Sequence, residues 1–260
     1  MKIYVLFASL LLSAVSASAQ DNYRLQGSIE VDITSPINWI ERYEKELQTL
    51  DKRAESEPSE CDVLFFGSSS IRMWSTLAED MAPLKVINRG YGGATLRDIF
   101  YNYERVFAHY QPKAIVLFCD NDISGDHNHD VTIAENIDLY RMIFTRLSKE
   151  YPDAPRYFLS IKYTEARKGI RHKQQMLNEM MQEIAERTEL FTYVDVNSLL
   201  LDEDGNPDPK YFLGDRLHIT REAYALWAEE LKRVMAESLK NRENPYSPYS
   251  PYSPYSPYFP

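Results

Sequence analysis

Two periods alternate along the chain. Asp62-Val63-Leu64-Phe65-Phe66 is a nearly unbroken apolar run of strand length, and similar runs stand at 85–88, 114–118, 156–161 and 191–196. Runs without in–out alternation fit strands covered on both faces. Between them, apolar residues recur at steps of three and four. The sets are Ile40, Tyr43, Leu47, Leu50; Leu96, Ile99, Tyr103, Val106, Tyr110; Ile133, Ile137, Tyr140, Phe144, Leu147; Leu177, Met180, Ile184; and Tyr224, Trp227, Leu231, Val234. Each set lines one face of a helix, and Thr132 with Glu135 forms a capping box at the start of the third. Strand and helix in alternation predict parallel strands joined by right-handed crossovers. The expected class is α/β, a three-layer α/β/α sandwich with a mainly parallel central sheet. The aromatic and methionine positions at these spacings are read as core.

Both ends depart from the pattern. Lys2, the apolar run 3–12 and the small residues Ala17-Ser18-Ala19 read as a secretory signal peptide cut before Gln20. The alternative is a buried N-terminal helix. The run is short for a membrane span, and no later segment is apolar enough for one. No cysteine follows the cleavage site, so a lipid anchor is not expected. The protein is expected to be exported, to the periplasm or the exterior. From Asn244 the chain repeats Pro-Tyr-Ser and ends Pro257-Tyr258-Phe259-Pro260. Proline at every third residue excludes helix and interior strand and favours polyproline II. The division is 1–19 signal peptide, 20–243 one globular domain, and 244–260 a disordered tail, with a docking stalk as the tail's alternative role.

Composition narrows the partners. Of 260 residues, 44% are hydrophobic and 26% charged, as in ordinary globular chains. The formal charge is −10, and loss of residues 1–19 would remove one lysine and no acid. Such a chain repels phosphate backbones, so nucleic acid is not expected as a partner. Cys61 precedes one predicted strand and Cys119 ends another. In parallel strands they lie at opposite ends, ~17 Å apart over five residues, beyond the ~7 Å Cα separation that a disulfide spans.

In an open parallel sheet, ligands bind at the carboxyl ends of the strands, and four segments at such positions carry suggestive residues. Gly67-Ser68-Ser69-Ser70-Ile71-Arg72 follows the first run. Asn88-Arg89-Gly90-Tyr91-Gly92-Gly93 follows the second, its glycines letting backbone N–H groups approach a ligand. It lacks the Gly-Lys-Ser/Thr of a phosphate-binding loop and a complete dinucleotide fingerprint. Cys119-Asp120-Asn121-Asp122 follows the third. Asp215-Arg216-Leu217-His218 precedes the last helix, at a spacing that lets a carboxylate orient an imidazole. Each has a bland reading: loop serine, turn glycine, Asx turn, helix cap. Together they offer a serine, a base with its orienting carboxylate, and donors for an oxyanion.

In this order and spacing the four blocks resemble the SGNH/GDSL hydrolases. Ser69 falls on the nucleophile of the Gly-Asp-Ser block, with Ser68 where that family has aspartate. Asn88 to Gly93 matches the second block, Asn121-Asp122 the third with Cys119 in place of glycine, and Asp215 and His218 the last. The resemblance covers residues 62–239 and implies the flavodoxin-like fold of that family. It implies a Ser69–His218–Asp215 triad and an oxyanion hole from the N–H groups of Ser69 and Gly93 and the amide of Asn121. No metal or organic cofactor is implied. Cys119 is expected to narrow the pocket or tilt its loop. Arg72, Trp74 and Arg167 are candidates for the substrate side. Asp126-His127-Asn128-His129-Asp130 has metal-binding residue types but lacks a further spaced ligand, and is read as a solvated loop. The expected substrate is a small ester or an acylated carbohydrate. The alternatives are an acyltransferase and a catalytically silent carbohydrate-binding protein on the same fold. The oligomeric state is open.

Overall fold

The computed structural model describes residues 42–126 and 130–243. The segment 1–19 expected to be a signal peptide, Ile40, His127 to His129 and the Pro-Tyr-Ser tail lie outside the described residues. Helix α1 (Glu44–Ala54) leads into β1 (Glu60–Gly67). Two short helices follow, α2 (Ser69–Arg72) and α3 (Leu77–Asp80), then β2 (Val86–Gly90). Helices α4 (Leu96–Tyr101) and α5 (Tyr103–Phe107) connect to β3 (Gln111–Phe118), and α6 (Ile133–Glu150) to β4 (Arg156–Leu159). Helix α7 (Arg171–Arg187), β5 (Thr192–Val194) and the long α8 (Arg221–Glu243) complete the order.

The five strands are parallel and ordered β2-β1-β3-β4-β5. Alternate residues of each strand point to opposite faces, and each face carries its own core. Leu64, Phe66, Ile115, Leu117 and Phe158 pack with α1 and α4 to α7. Val63, Phe65, Val116, Phe118 and Tyr157 pack with Trp74, Leu77, Tyr224, Trp227 and Leu231 on the other side. This is the three-layer α/β sandwich that the pattern predicts. The order places β1 between β2 and β3, so the connections leaving β1 and entering β3 diverge there. That divergence is the switch point at which such sheets bind ligands.

Three expectations need correction. The helix predicted through Leu96 and Tyr110 breaks at Asn102, whose side-chain amide donates to the Asp98 carbonyl at 3.0 Å. An asparagine that bonds its own backbone competes with the helix ladder. Met180 is 39% exposed, while its neighbour Met181 is fully buried. The apolar stripe of α7 therefore runs Leu177, Met181, Ile184. Strand β5 covers only Thr192–Val194, at the sheet edge, where it pairs with β4 alone. The two cysteines are both buried and free.

These positions make opposite demands on stability. Met181→Ala should cost ~2–5 kcal/mol through the cavity it leaves, and Met180→Ala no more than ~0.5 kcal/mol. Urea unfolding of both variants checks this, and equal losses would contradict the assignment of the buried face.

Candidate active site

The turn after β1 is set by one close approach. Gly67 has φ 137, and a Cβ there would lie 1.8 Å from the Phe118 carbonyl oxygen. Ser68 N–H donates to that same oxygen at 3.0 Å, turning the chain so that Ser69 starts α2. Four residues make a weak helix by themselves, and this one is held from outside. Tyr224 Oη donates to the Ser70 carbonyl at 2.7 Å, and Asn88 Nδ2 to the Ile71 carbonyl at 2.6 Å.

The Asp215–His218 turn closes onto this point. Asp215 Oδ1 accepts the N–H groups of Leu217 and His218, both at 2.9 Å. Its Oδ2 lies 2.6 Å from His218 Nδ1, and His218 Nε2 lies 2.9 Å from Ser69 Oγ. Arg216, at φ 57, takes the left-handed conformation that lets two successive N–H groups converge on the carboxylate. Burial pushes the Asp215 carboxyl up, but the hydrogen bonds from the His218 ring and the two N–H groups outweigh it and hold it at about 2. An ionised Asp215 fixes the proton on Nδ1 and leaves Nε2 to accept one from Ser69.

The second and third loops meet beside Ser69. Gly93 has φ 73, and its carbonyl accepts from Tyr43 Oη at 2.6 Å. Gly92 N–H donates to Glu46 Oε2 at 2.5 Å. Thr95 and Asp98 form a capping box at the start of α4, and Leu96 N–H donates to Asp122 Oδ2 at 2.7 Å. Asn121 Nδ2 donates to the Ala94 carbonyl at 2.9 Å. Among the described residues, the N–H groups of Ser69 and Gly93 have no hydrogen-bond partner. A cavity of about 360 Å³ opens on the Gly93–Asn121 side of these loops, lined also by Arg167 and by Leu217 next to His218, while Ser69 and His218 themselves are not part of its wall.

Ser69, His218, Asp215, Gly93 and Asn121 are thus brought to one place. The other candidates fare differently. Arg72 is exposed, its guanidinium lying over Gly92 so that a Cβ there would stand 3.0 Å from Nε. Trp74 is not at the substrate side. It is 1% exposed, stacked on Tyr224 at 5.0 Å, and its Nε1 donates to Asp80 Oδ2 at 2.7 Å. Arg167 lines the cavity, but its guanidinium is committed to Asp120 and Asn121 rather than to the opening. Cys119 does not narrow the pocket. Its side chain is buried in the core, with Sγ 3.2 Å from the Ala94 carbonyl. Asp126 lines the cavity and Asp130 accepts from the N–H groups of Ser124 and Gly125. Among the described residues, no cluster of three or more metal-ligating side chains is present.

Sequence reasoning missed Asp120 and Lys162, which form a buried ion pair at 3.0 Å with exposures of 3% and 1%. Burial opposes the charge on Asp120, but Arg167 and Lys162 outweigh it and hold the carboxyl well below its usual range. A lysine directly after the apolar run 156–161 was the available signal. Asp122 behaves oppositely. Burial pushes its carboxyl up to about 7, against the Leu96 N–H and the charge of Arg97.

The family model described as GDSL-like lipase/acylhydrolase matches residues 61–226. Among solved structures, a candidate platelet activating factor of Streptococcus pneumonia superposes with a TM-score of 0.66 at 22% identity, covering 80% of this chain and 100% of the other. A GDSL-like lipase from Bacteroides thetaiotaomicron VPI-5482 gives 0.59 at 18% identity, covering 76% and 98%. A catalytic mutant of an acetylxylan esterase from Geobacillus stearothermophilus gives 0.52 at 15% identity, covering 68% and 94%. No curated protein matches the chain.

The raised Asp122 value has a sign that can be tested. A carboxyl that ionises near 7 when folded and near ~3.9 when unfolded stabilises the fold below about pH 4, and that contribution is lost as the pH rises through about 7. Asn at this position cannot ionise. Asp122→Asn should therefore gain on the wild type between pH 4 and 8, by at most ~1.4 kcal/mol per pH unit. Urea midpoints of both proteins at the two pH values measure the gap. A constant gap would show that Asp122 does not titrate in this range.

Proposed function

Since the chain belongs to the GDSL-like lipase/acylhydrolase family, we propose that it is an exported serine esterase that removes short acyl groups from a carbohydrate. The observation that carries the reading is the continuous contact from Ser69 Oγ through His218 to Asp215, 2.9 Å and 2.6 Å long. In the proposed reaction His218 Nε2 takes the Ser69 proton as Oγ attacks the ester carbonyl. The N–H groups of Ser69 and Gly93 and the free hydrogen of Asn121 Nδ2 receive the oxyanion. His218 then passes its proton to the leaving alcohol, and water repeats the cycle on the acyl-enzyme.

The cavity beside Gly93 and Asn121 carries polar side chains that suit a carbohydrate. Ala166 and Leu217 supply its apolar side chains, and the remaining lining is polar or glycine, including Arg42, Ser124 and Asp126. The acetylxylan esterase of like fold is consistent with an acetylated sugar polymer as substrate. The acidic chain argues against nucleic acid as partner. No described helix is long and apolar enough to cross a membrane. Export rests on the charge, apolar run and small residues within 1–19.

The purified protein should hydrolyse p-nitrophenyl acetate, and lose rate as the acyl chain lengthens. Ser69→Ala should lower kcat by ~10³-fold or more without unfolding. Steady-state rates and circular dichroism on both proteins decide it. Full activity in a folded Ser69→Ala protein would remove Ser69 from the mechanism, and faster turnover of octanoate than acetate would remove the short-acyl reading.

A further inference from the structure

Directly behind Asn121 lies a cluster of three ionisable side chains. Asp120 Oδ2 is 3.0 Å from Lys162 Nζ and 2.8 Å from Arg167 Nη1. Arg167 Nη1 also donates to the Asp120 carbonyl at 3.0 Å, and Nη2 to Asn121 Oδ1 at 2.8 Å. Lys162 sits over the Phe118 ring at 4.8 Å, and Ser68 Oγ donates to Asp120 Oδ1 at 3.4 Å. The cluster therefore touches the residue before Ser69, the end of β3, and the oxyanion amide.

A guanidinium has donors and no acceptor. Only the oxygen of the Asn121 amide can face Arg167, so Nδ2 is turned to the opposite side. One Nδ2 hydrogen goes to the Ala94 carbonyl at 2.9 Å, beside Gly93, and the second is left without a partner among the described residues. A carbonyl oxygen bonded to a cation draws charge out of its amide, which makes the N–H a stronger donor. We propose that Arg167 is a positioning residue of the oxyanion hole: it fixes the orientation of the Asn121 amide and strengthens its free N–H toward the transition-state oxyanion. This rests on the esterase reading above.

The alternative is that Arg167 only neutralises Asp120. Arg167 is the stronger of the two cations acting on Asp120, but Lys162 also lies 3.0 Å from the same oxygen at 1% exposure. Without Arg167 one carboxylate and one ammonium remain, formally balanced, so neutralising Asp120 does not account for the bond from Nη2 to Asn121 Oδ1. Lysine in its place would be a point charge on a flexible stem, unable to meet Asp120 and Asn121 as a planar fork does.

Arg167→Met, Arg167→Lys, Asn121→Ala and the double variant Asn121→Ala/Arg167→Met are compared with the wild type on a short ester. A boronic acid that takes Ser69 Oγ onto boron as a tetrahedral adduct serves as the transition-state mimic. Arg167→Met should lose kcat ~10- to 100-fold at nearly constant KM, somewhat less than deletion of a donor outright. Boronate affinity should fall by the same factor, Arg167→Lys should recover part of it, and the double variant should be no slower than Asn121→Ala alone. Full kcat in a folded Arg167→Met, a loss confined to KM, or losses that multiply in the double variant would each overturn the inference. Should Arg167→Met fail to fold, Arg167→Lys carries the same comparison, since it keeps charge and most of the volume. A wild type that neither turns over esters nor binds the boronate overturns the esterase reading, and this inference with it. Turnover by the wild type with an unaffected Arg167 variant overturns this inference alone.

Discussion

A side chain at residue 67 would collide with the backbone of the neighbouring strand, its Cβ 1.8 Å from the Phe118 oxygen. β1 and β3 run in register up to that pair, Gly67 beside Phe118, and then part. The parting follows from strand order, since the chain leaves β1 toward β2 on one side and later enters β3 on the other. Only a residue without Cβ lets the two backbones stay this close while the chain turns at positive φ. The Phe118 oxygen then accepts the Ser68 N–H, so the turn that presents Ser69 is bonded to the strand whose extension presents Asn121. The distance between the serine and the amide is fixed by main chain, which deforms less than side chains do.

The rest of the site is tied to this frame through shared acceptors. The Ala94 carbonyl receives both Asn121 Nδ2 and Cys119 Sγ, joining the Gly93 loop to the end of β3. Asp122 joins them again by accepting from Leu96 N–H, and Tyr140 Oη donates to the Cys119 carbonyl from α6. A thiol at 119 therefore substitutes for a glycine by filling core and bonding the loop. Gly93 and Asn121 are thereby joined to two strands and two helices, which suits the proposed oxyanion hole, whose donors must not reorganise as charge develops.

The layers were legible because burial on two faces writes itself as unbroken apolar runs at 62–66 and 114–118. The serine, histidine and aspartate were legible because chemistry restricts residue type and because fold places strand ends together. What escaped was side-chain direction. Trp74 follows the serine turn closely, yet α2 is one turn long and the next residues roll into the core against Tyr224. Met180 and Met181 are equally apolar, so spacing alone does not say which one faces inward. Asn102 looks like a helical position until its amide is seen bonding the Asp98 carbonyl. Arg167 was assigned to the opening from its type. Its partners, Asp120 and Asn121, lie 47 and 46 residues away, beyond any local pattern.

The ion cluster beneath Asn121 also separates net charge from local field. A formal charge of −10 describes how the surface meets distant polyanions. It says nothing of a point where Lys162 and Arg167 face a single carboxylate at 1% and 10% exposure. Burying such charges costs several kcal/mol each, and apolar replacements of similar volume are often neutral or stabilising. Stability is therefore a poor account of why these residues stand there. The cluster holds two cations and one carboxylate, its fork meets the oxygen of one amide, and that amide's nitrogen bonds the Ala94 carbonyl beside Gly93. Preorganised charge of this kind is costly to the fold and effective only where negative charge appears during a reaction. Its place, directly behind the amide that lines the cavity, accounts for a cost that packing alone would not repay.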